Sequence, residues 1–113
     1  MSEEIIRKTY LCPIIGTGTM ADPWRAKVAD LNLKCSWFKH KLDSNICLVT
    51  VVATTSDHTV IAQDPDFELI AVQKNIVASP VRFAELKTAY PNIEEKLSVT
   101  QKCSIKFMEV TGE

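Results

Sequence analysis

Glycine is scarce in this chain. Three occur among 113 residues, and two of them, Gly16 and Gly18, share one tetrapeptide, which excludes a collagen-like repeat. Cysteines number four, Cys12, Cys35, Cys47 and Cys103, with no CxxC pair, so neither a disulfide miniprotein nor a zinc-ligand spacing is present. Each lies among apolar neighbours and reads as a reduced, buried thiol acting as a small hydrophobe. Neither sign of charge dominates. Thirteen basic residues stand against 14 acidic ones, for a net charge of -1, so no global positive field recruits nucleic acid. Long hydrophobic runs are missing too. The longest, Ile46 to Ala53, is interrupted by Thr50 and falls far short of the about 20 residues a membrane-spanning helix needs. Met1-Ser2-Glu3-Glu4 is acidic and precedes no apolar run of signal-peptide length. The expectation is a protein made and kept in the cytosol, without a membrane partner.

What is present is ordinary for a globular protein: 46% apolar and 24% charged residues. The length suits one domain, or one domain with a short appendage. Residues 7–16 read as a first strand. Pro13 has no N–H for a ladder, so this strand is an edge or is unpaired on its Pro13 side. Gly16-Thr17-Gly18-Thr19 breaks the pattern, and Asp22-Pro23 begins a turn or a single helical turn with Trp24, Val28 and Leu31 on one side. Residues 32–40 alternate, with Leu33, Cys35 and Trp37 facing one way and Lys34, Ser36, Phe38 and His40 the other. Asp43-Ser44-Asn45 is turn chemistry leading to the β-branched run from Ile46, so these two strands form a hairpin. Ser56-Asp57 carries a helix N-cap signal for a short helix over 58–63, which Asp64-Pro65-Asp66 ends. Phe67 to Val72 alternates as a fourth strand.

Strand, abbreviated crossover, strand, hairpin, strand, helix, strand is an α+β order. It predicts a ferredoxin-like four-stranded antiparallel sheet with one main helix, forming a domain over 1–76. A C-terminal helical segment over 77–113 packs on that domain or on a partner. Within it Ser79-Pro80 is an N-cap with proline at the first helical position, Phe83, Leu86 and Tyr90 share a helical face, and Pro91 ends the helix. Residues 99–110 fit a helical stripe of Val99, Cys103, Phe107 and Val110, and also a strand through Cys103, Ile105 and Phe107. Helix is preferred because Gln101, Lys102 and Lys106 suit an exposed helical face.

The strand from Ile46 is apolar on both sides: Ile46, Leu48, Thr50 and Val52 on one, Cys47, Val49, Val51 and Ala53 on the other. A sheet wetted on one face shows cleaner alternation. One short helix covers part of one face, so the other needs the tail or another subunit. Chemistry-bearing constellations are weaker. The Gly16–Thr19 stretch lacks the GxGxxG spacing and a Walker lysine, so a tight turn explains it better than a phosphate cradle. Asp57 and His58 are adjacent and poorly placed to act on one substrate. His40 sits at a strand end among lysines and reads as solvated. Asp22, Asp57, Asp64 and Asp66 match no ion-binding loop, and turn and cap roles account for each. No cofactor, metal or catalytic residue is called for.

Region 24–41 is basic and aromatic, through Arg25, Lys27, Lys34, Lys39 and Lys41 with Trp24, Trp37 and Phe38; region 57–68 is acidic. Such opposed segments suit head-to-tail contact between copies or a solvated face. A nucleic-acid reading of the basic hairpin is the alternative, although the RNP1 pattern is absent.

The run from Tyr10 to Leu31, with its GTGT-x-x-DP-x-R block (Gly16 to Arg25), and the Asp57-His58 … Asp64-Pro65-Asp66 block resemble a family of small uncharacterised proteins encoded by tailed bacteriophages and related viruses. The resemblance covers residues 8–70. It implies a virus-encoded protein residing in the virion and implies no catalytic residues. The lysine-rich hairpin and a shortened tail depart from the pattern. The expected function is therefore a structural or interaction subunit, such as a capsid-decorating or head–tail joining piece. It would bury apolar surface against copies of itself or a larger shell or tail protein. Trp24, Trp37 and Phe38 are the expected anchors, with Phe83 and Phe107 from the tail. A nucleic-acid module is the alternative, and a small enzyme of dimeric ferredoxin-like type the third reading.

Overall fold

A computed structural model describes residues 4–31, 33, 35–72 and 75–111, with 104–111 as backbone only. Strands β1 (Ile5–Ile15), β2 (Arg25–Ala26), β3 (Ser36–Lys41), β4 (Ile46–Thr54), β5 (Glu68–Val72) and β6 (Asn75–Ile76) are joined by a 3-10 helix (Lys27–Leu31) and by α1 (Thr55–Gln63), α2 (Pro80–Ala89) and α3 (Ile93–Thr111). The fold is α+β, with an antiparallel sheet and three helices. The sheet has six strands rather than four, in the order β3-β4-β1-β5-β6, with β2 added to β1. The two extra strands are two residues each, too short to leave a periodic signal.

β1 lies at the centre of the sheet, between β4 and β5, which corrects the edge-strand alternative. Pro13 shows how a central strand tolerates proline. The Ile14 N–H donates to the Asn45 carbonyl on the β4 side, so the neighbouring Pro13 nitrogen faces the opposite side. There β5 has already ended at the Leu11–Glu68 pair, and β2 begins only at Ile14–Ala26. The missing donor falls in the gap between two partners.

Local chemistry sets the helix ends. α1 is capped by Thr54, whose hydroxyl accepts from the Asp57 N–H. This moves the cap from Ser56-Asp57 and places Asp57 in the first turn, where its charge suits the helix dipole. Ser79 caps α2 by accepting from the Arg82 N–H, with Pro80 opening the helix. The β3–β4 hairpin is held by the Asp43 carboxylate, which accepts from the Asn45 and Ile46 N–H groups.

The period-two alternation of β4 sends its residues into two separate cores. On one face Cys47, Val49, Val51 and Ala53 pack with Tyr10 and Cys12 under Ile61 of α1 and Ala26 and Val28 of the 24–31 segment, and Leu33, Cys35 and Trp37 close the margin. On the other, Leu11, Leu48, Ile70 and Ala71 pack against Leu86 of α2 and Ile93 and Leu97 of α3. The 80–97 segment of the chain is thus the cover for the second face. Thr50, which interrupts the apolar run, is satisfied there by a 2.7 Å hydrogen bond with Thr9, the pairing a buried hydroxyl requires. The α3 stripe is shifted from the expected one. Ile93, Leu97, Thr100 and Gln101 are buried while Val99 is exposed, because α3 begins at Ile93 and its first two turns dock on the sheet. The side chain of Phe107 lies outside the described residues, as does Lys34.

The turn after β1 needs its glycine. Gly16 has φ +96°, and a Cβ there would sit 2.5 Å from the Pro23 carbonyl oxygen; Gly18, at φ +85°, faces open space. Gly16→Ala should therefore lower stability by about 2 kcal/mol or more, and Gly18→Ala by about 1 kcal/mol from backbone strain alone. Thermal melts of the two variants compare them directly, and equal effects would remove the close approach from the explanation.

Candidate functional site

The polar groups singled out from the sequence are mostly occupied inside the fold. Thr17 and Gly18 N–H groups both donate to the Asp22 carbonyl, and the Asp22 N–H returns to Thr19. The amides a phosphate would need are spent on the turn. His58 is 1% exposed. Its Nε2–H donates to the Ile6 carbonyl at 2.8 Å and its Nδ1 accepts from the Tyr10 hydroxyl at 2.9 Å, since a carbonyl can only accept. In the neutral ring that burial favours, the Ile6 carbonyl thus selects the Nε2–H tautomer, with both nitrogens used. Burial holds the ring below the ordinary histidine range and raises the Tyr10 hydroxyl to about 12. His40 is half-buried rather than solvated, and burial followed by the charge of Lys96 lowers it as well.

One residue of the basic segment reaches the acidic segment within one chain. The Lys27 ammonium bonds Asp64 at 3.1 Å and also Asp66. Arg25 lies 3.7 Å from Asp22 and 3.9 Å from Asp30. Lys27 thus links the basic segment to the acidic one within a single chain, while Arg25 pairs with carboxylates near it in sequence. Lys39 sits 4.2 Å over the Trp24 ring and donates to the Trp24 carbonyl, and Lys41 is 5.8 Å from the same ring. An aromatic face covered by two lysines is a poor platform for stacking a base. Among the described residues, no group of three or more His, Cys, Asp or Glu side chains converges as metal ligands would, and no helix is long and apolar enough to cross a membrane.

The anchor candidates separate in space. Trp24 and Trp37 are half-buried against the α1-side core, Phe38 is half-buried on the opposite face of β3, and Phe83 packs against the α2/α3-side core. Phe83 also lines a cleft of about 450 Å³ with Ile76, Leu97, Ser98, Gln101 and Lys102. Nearby are exposed aliphatics that sequence reasoning missed: Ile76 of β6 (40% exposed), Val77 after it (48%), and Val81 of α2 (72%), which lines a groove on α2 with Ala84, Thr88 and Ala89. The signal was present, because Val81, Ala84 and Thr88 share a helical face opposite Phe83, Leu86 and Tyr90. An alanine-rich stripe, however, barely raises helix amphipathicity.

Searched against protein families, curated proteins and solved structures, the chain matches none.

Proposed function

We propose that this protein is a small structural or interaction subunit of a virus particle, working by burial of apolar surface against other protein subunits, whether its own copies or a larger shell or tail protein. The observation that carries the reading is the exposure of Ile76, Val77 and Val81, with Ala84 and Ala89 beside Val81 on α2, on a domain whose two sheet faces are already covered. Single exposed aliphatics are common, but several of them near a cleft and an apolar groove favour docking. The strand order of β3, β4, β1 and β5 supports reading these four as a ferredoxin-like core, with β2, β6 and the two last helices as additions. Virus origin and a place in the virion rest on the resemblance of the Gly16–Arg25 and Asp57–Asp66 blocks. The internal use of His58, Asp22 and Lys27 favours a scaffold over the enzyme alternative. Pairing of Arg25 and Lys27, and the lysines over Trp24, disfavour the nucleic-acid alternative.

Docking moves from the hairpin to α2 and β6 on this reading. Sedimentation of the purified parent should show concentration-dependent association that holds or strengthens with salt, as apolar contact does. Val77→Lys with Val81→Lys should abolish it. At such exposed sites stability should change by no more than about 0.5 kcal/mol each. A parent that stays monomeric at high concentration, and is not retained by purified particles, would overturn the reading. Nucleic-acid affinity that falls steeply with salt would favour the alternative.

A further inference from the structure

Cys12 and Cys47 are directly opposite in the β1–β4 register, and their sulfurs are 3.7 Å apart. Residues paired across an antiparallel ladder have Cα atoms about 4.5–5.5 Å apart, inside the span a disulfide bridges. The two thiols differ in surroundings. The two sulfurs share a hydrogen bond that either can donate, and the Lys27 and Val28 backbone and the Lys27 charge favour a thiolate at Cys12. Cys47 packs among apolar side chains of the first core, with the Lys39 charge acting on it as well. The Cys47 hydrogen bond draws the Cys12 thiol below the usual range, and the same bond together with burial pushes Cys47 above it. Cys35 and Cys103 are half-buried and form no such pair.

We propose that Cys12 and Cys47 form a redox dithiol, closed to an intramolecular disulfide by a two-electron oxidant of the peroxide class and reopened by thiols. The Cys12 thiolate attacks one peroxide oxygen, the O–O bond breaks and hydroxide leaves, giving a sulfenic acid. The Cys47 sulfur then attacks the Cys12 sulfur, its proton leaves with the hydroxyl as water, and the S–S bond forms. The sulfur pair loses two electrons and two protons, and peroxide is reduced to water. Both sulfurs are fully buried, so peroxide enters by local opening of the covering 24–31 segment, a two-residue strand and a single 3-10 helix. The closed form would staple the two central strands, 35 residues apart in sequence, in their existing register.

Hydrogen peroxide applied to the folded full-length chain in native buffer tests this. The expected product is a monomer lighter by two hydrogen atoms, with a Cys12–Cys47 linked peptide in non-reducing maps, reversed by dithiothreitol. Its melting temperature should lie several degrees above that of the reduced chain. In Cys47→Ser, dimedone should trap a sulfenic acid on Cys12, and Cys47→Ala serves if the serine variant does not fold. The same chain oxidised in denaturant should give mixed pairings, so a single native pairing reports the folded geometry. The proposal fails if Cys12 and Cys47 remain alkylatable after Cys35 and Cys103 have been oxidised. It also fails if the native product shows the same scrambled pairings as the denatured one.

Discussion

A chain ending at Ile76 is expected to lose its cooperative melt and aggregate. The shortened chain keeps every strand of the sheet, so by secondary structure alone it looks complete. What it loses is the cover of the second face. Leu11, Leu48 and Ile70 are at most 5% exposed beneath α2 and α3. Returning three large aliphatic side chains to water costs roughly 5–9 kcal/mol, comparable to the about 5–15 kcal/mol that holds a whole domain folded. Thermal circular dichroism and size-exclusion chromatography make the measurement. Leu97→Asp in the full chain, which buries a charge in the same contact, should shift the melt in the same direction. A sharp transition for the shortened chain near the parent's temperature would show that the helices are an appendage and the sheet closes by other means.

Acidification should weaken the fold through His58. The ring is neutral and buried in the native state, and its folded pKa lies below the unfolded value of about 6.5. The unfolded chain therefore binds a proton that the native state refuses. The His58 contribution is fully present above about pH 6.5. It falls by up to about 1.4 kcal/mol per pH unit below that, until the folded pKa is reached. His40 is lowered as well and acts with the same sign. The comparison is therefore between the parent and His58→Gln. The variant should be about 2 kcal/mol less stable at pH 7 through the lost Tyr10 and Ile6 partners, and its stability should fall less between pH 7 and 5. Tyr10 gives a second limb. With a folded pKa of about 12 against about 10 unfolded, its contribution is lost as pH rises through that interval. Parallel denaturation profiles for parent and variant across the acid range would remove His58 from the account.

The two results bear on one structural question, which is how the sheet is enclosed. From the sequence, the greasy run on both sides of β4 already required a cover on each face, and the Ser79-Pro80 cap and the Phe83-Leu86-Tyr90 stripe marked α2 within a residue of its bounds. The period-two pattern of 32–40 placed Leu33, Cys35 and Trp37 together, as they are in the first core. Whether the second cover came from the tail or from a neighbour was not legible, because an apolar stripe records that it is buried and not against what. The Val99 register of α3 was misplaced for the same reason. Several stripes fit that segment, and only docking of Ile93 and Leu97 selects one.

The candidate sites divide along the same line. That His58 and Asp57 are neighbours in sequence says nothing about Tyr10, 48 residues away, which holds the ring. Lys27 and the Asp64/Asp66 pair stood out as opposite charges, and only the fold brings them into contact. Cys12 and Cys47 looked like unrelated core thiols until the β1–β4 register set them side by side. By itself the sequence determined the four longer strands, the hairpin turn, the Ser79 cap and the double-sided burial, because these depend on residues within one or two turns of each other along the chain. The tertiary structure alone decided which face covers which, and which distant side chains meet. Those outcomes depend on strand register and on the chain crossing from one face of the sheet to the other, and a one-residue slip in either would change every partner.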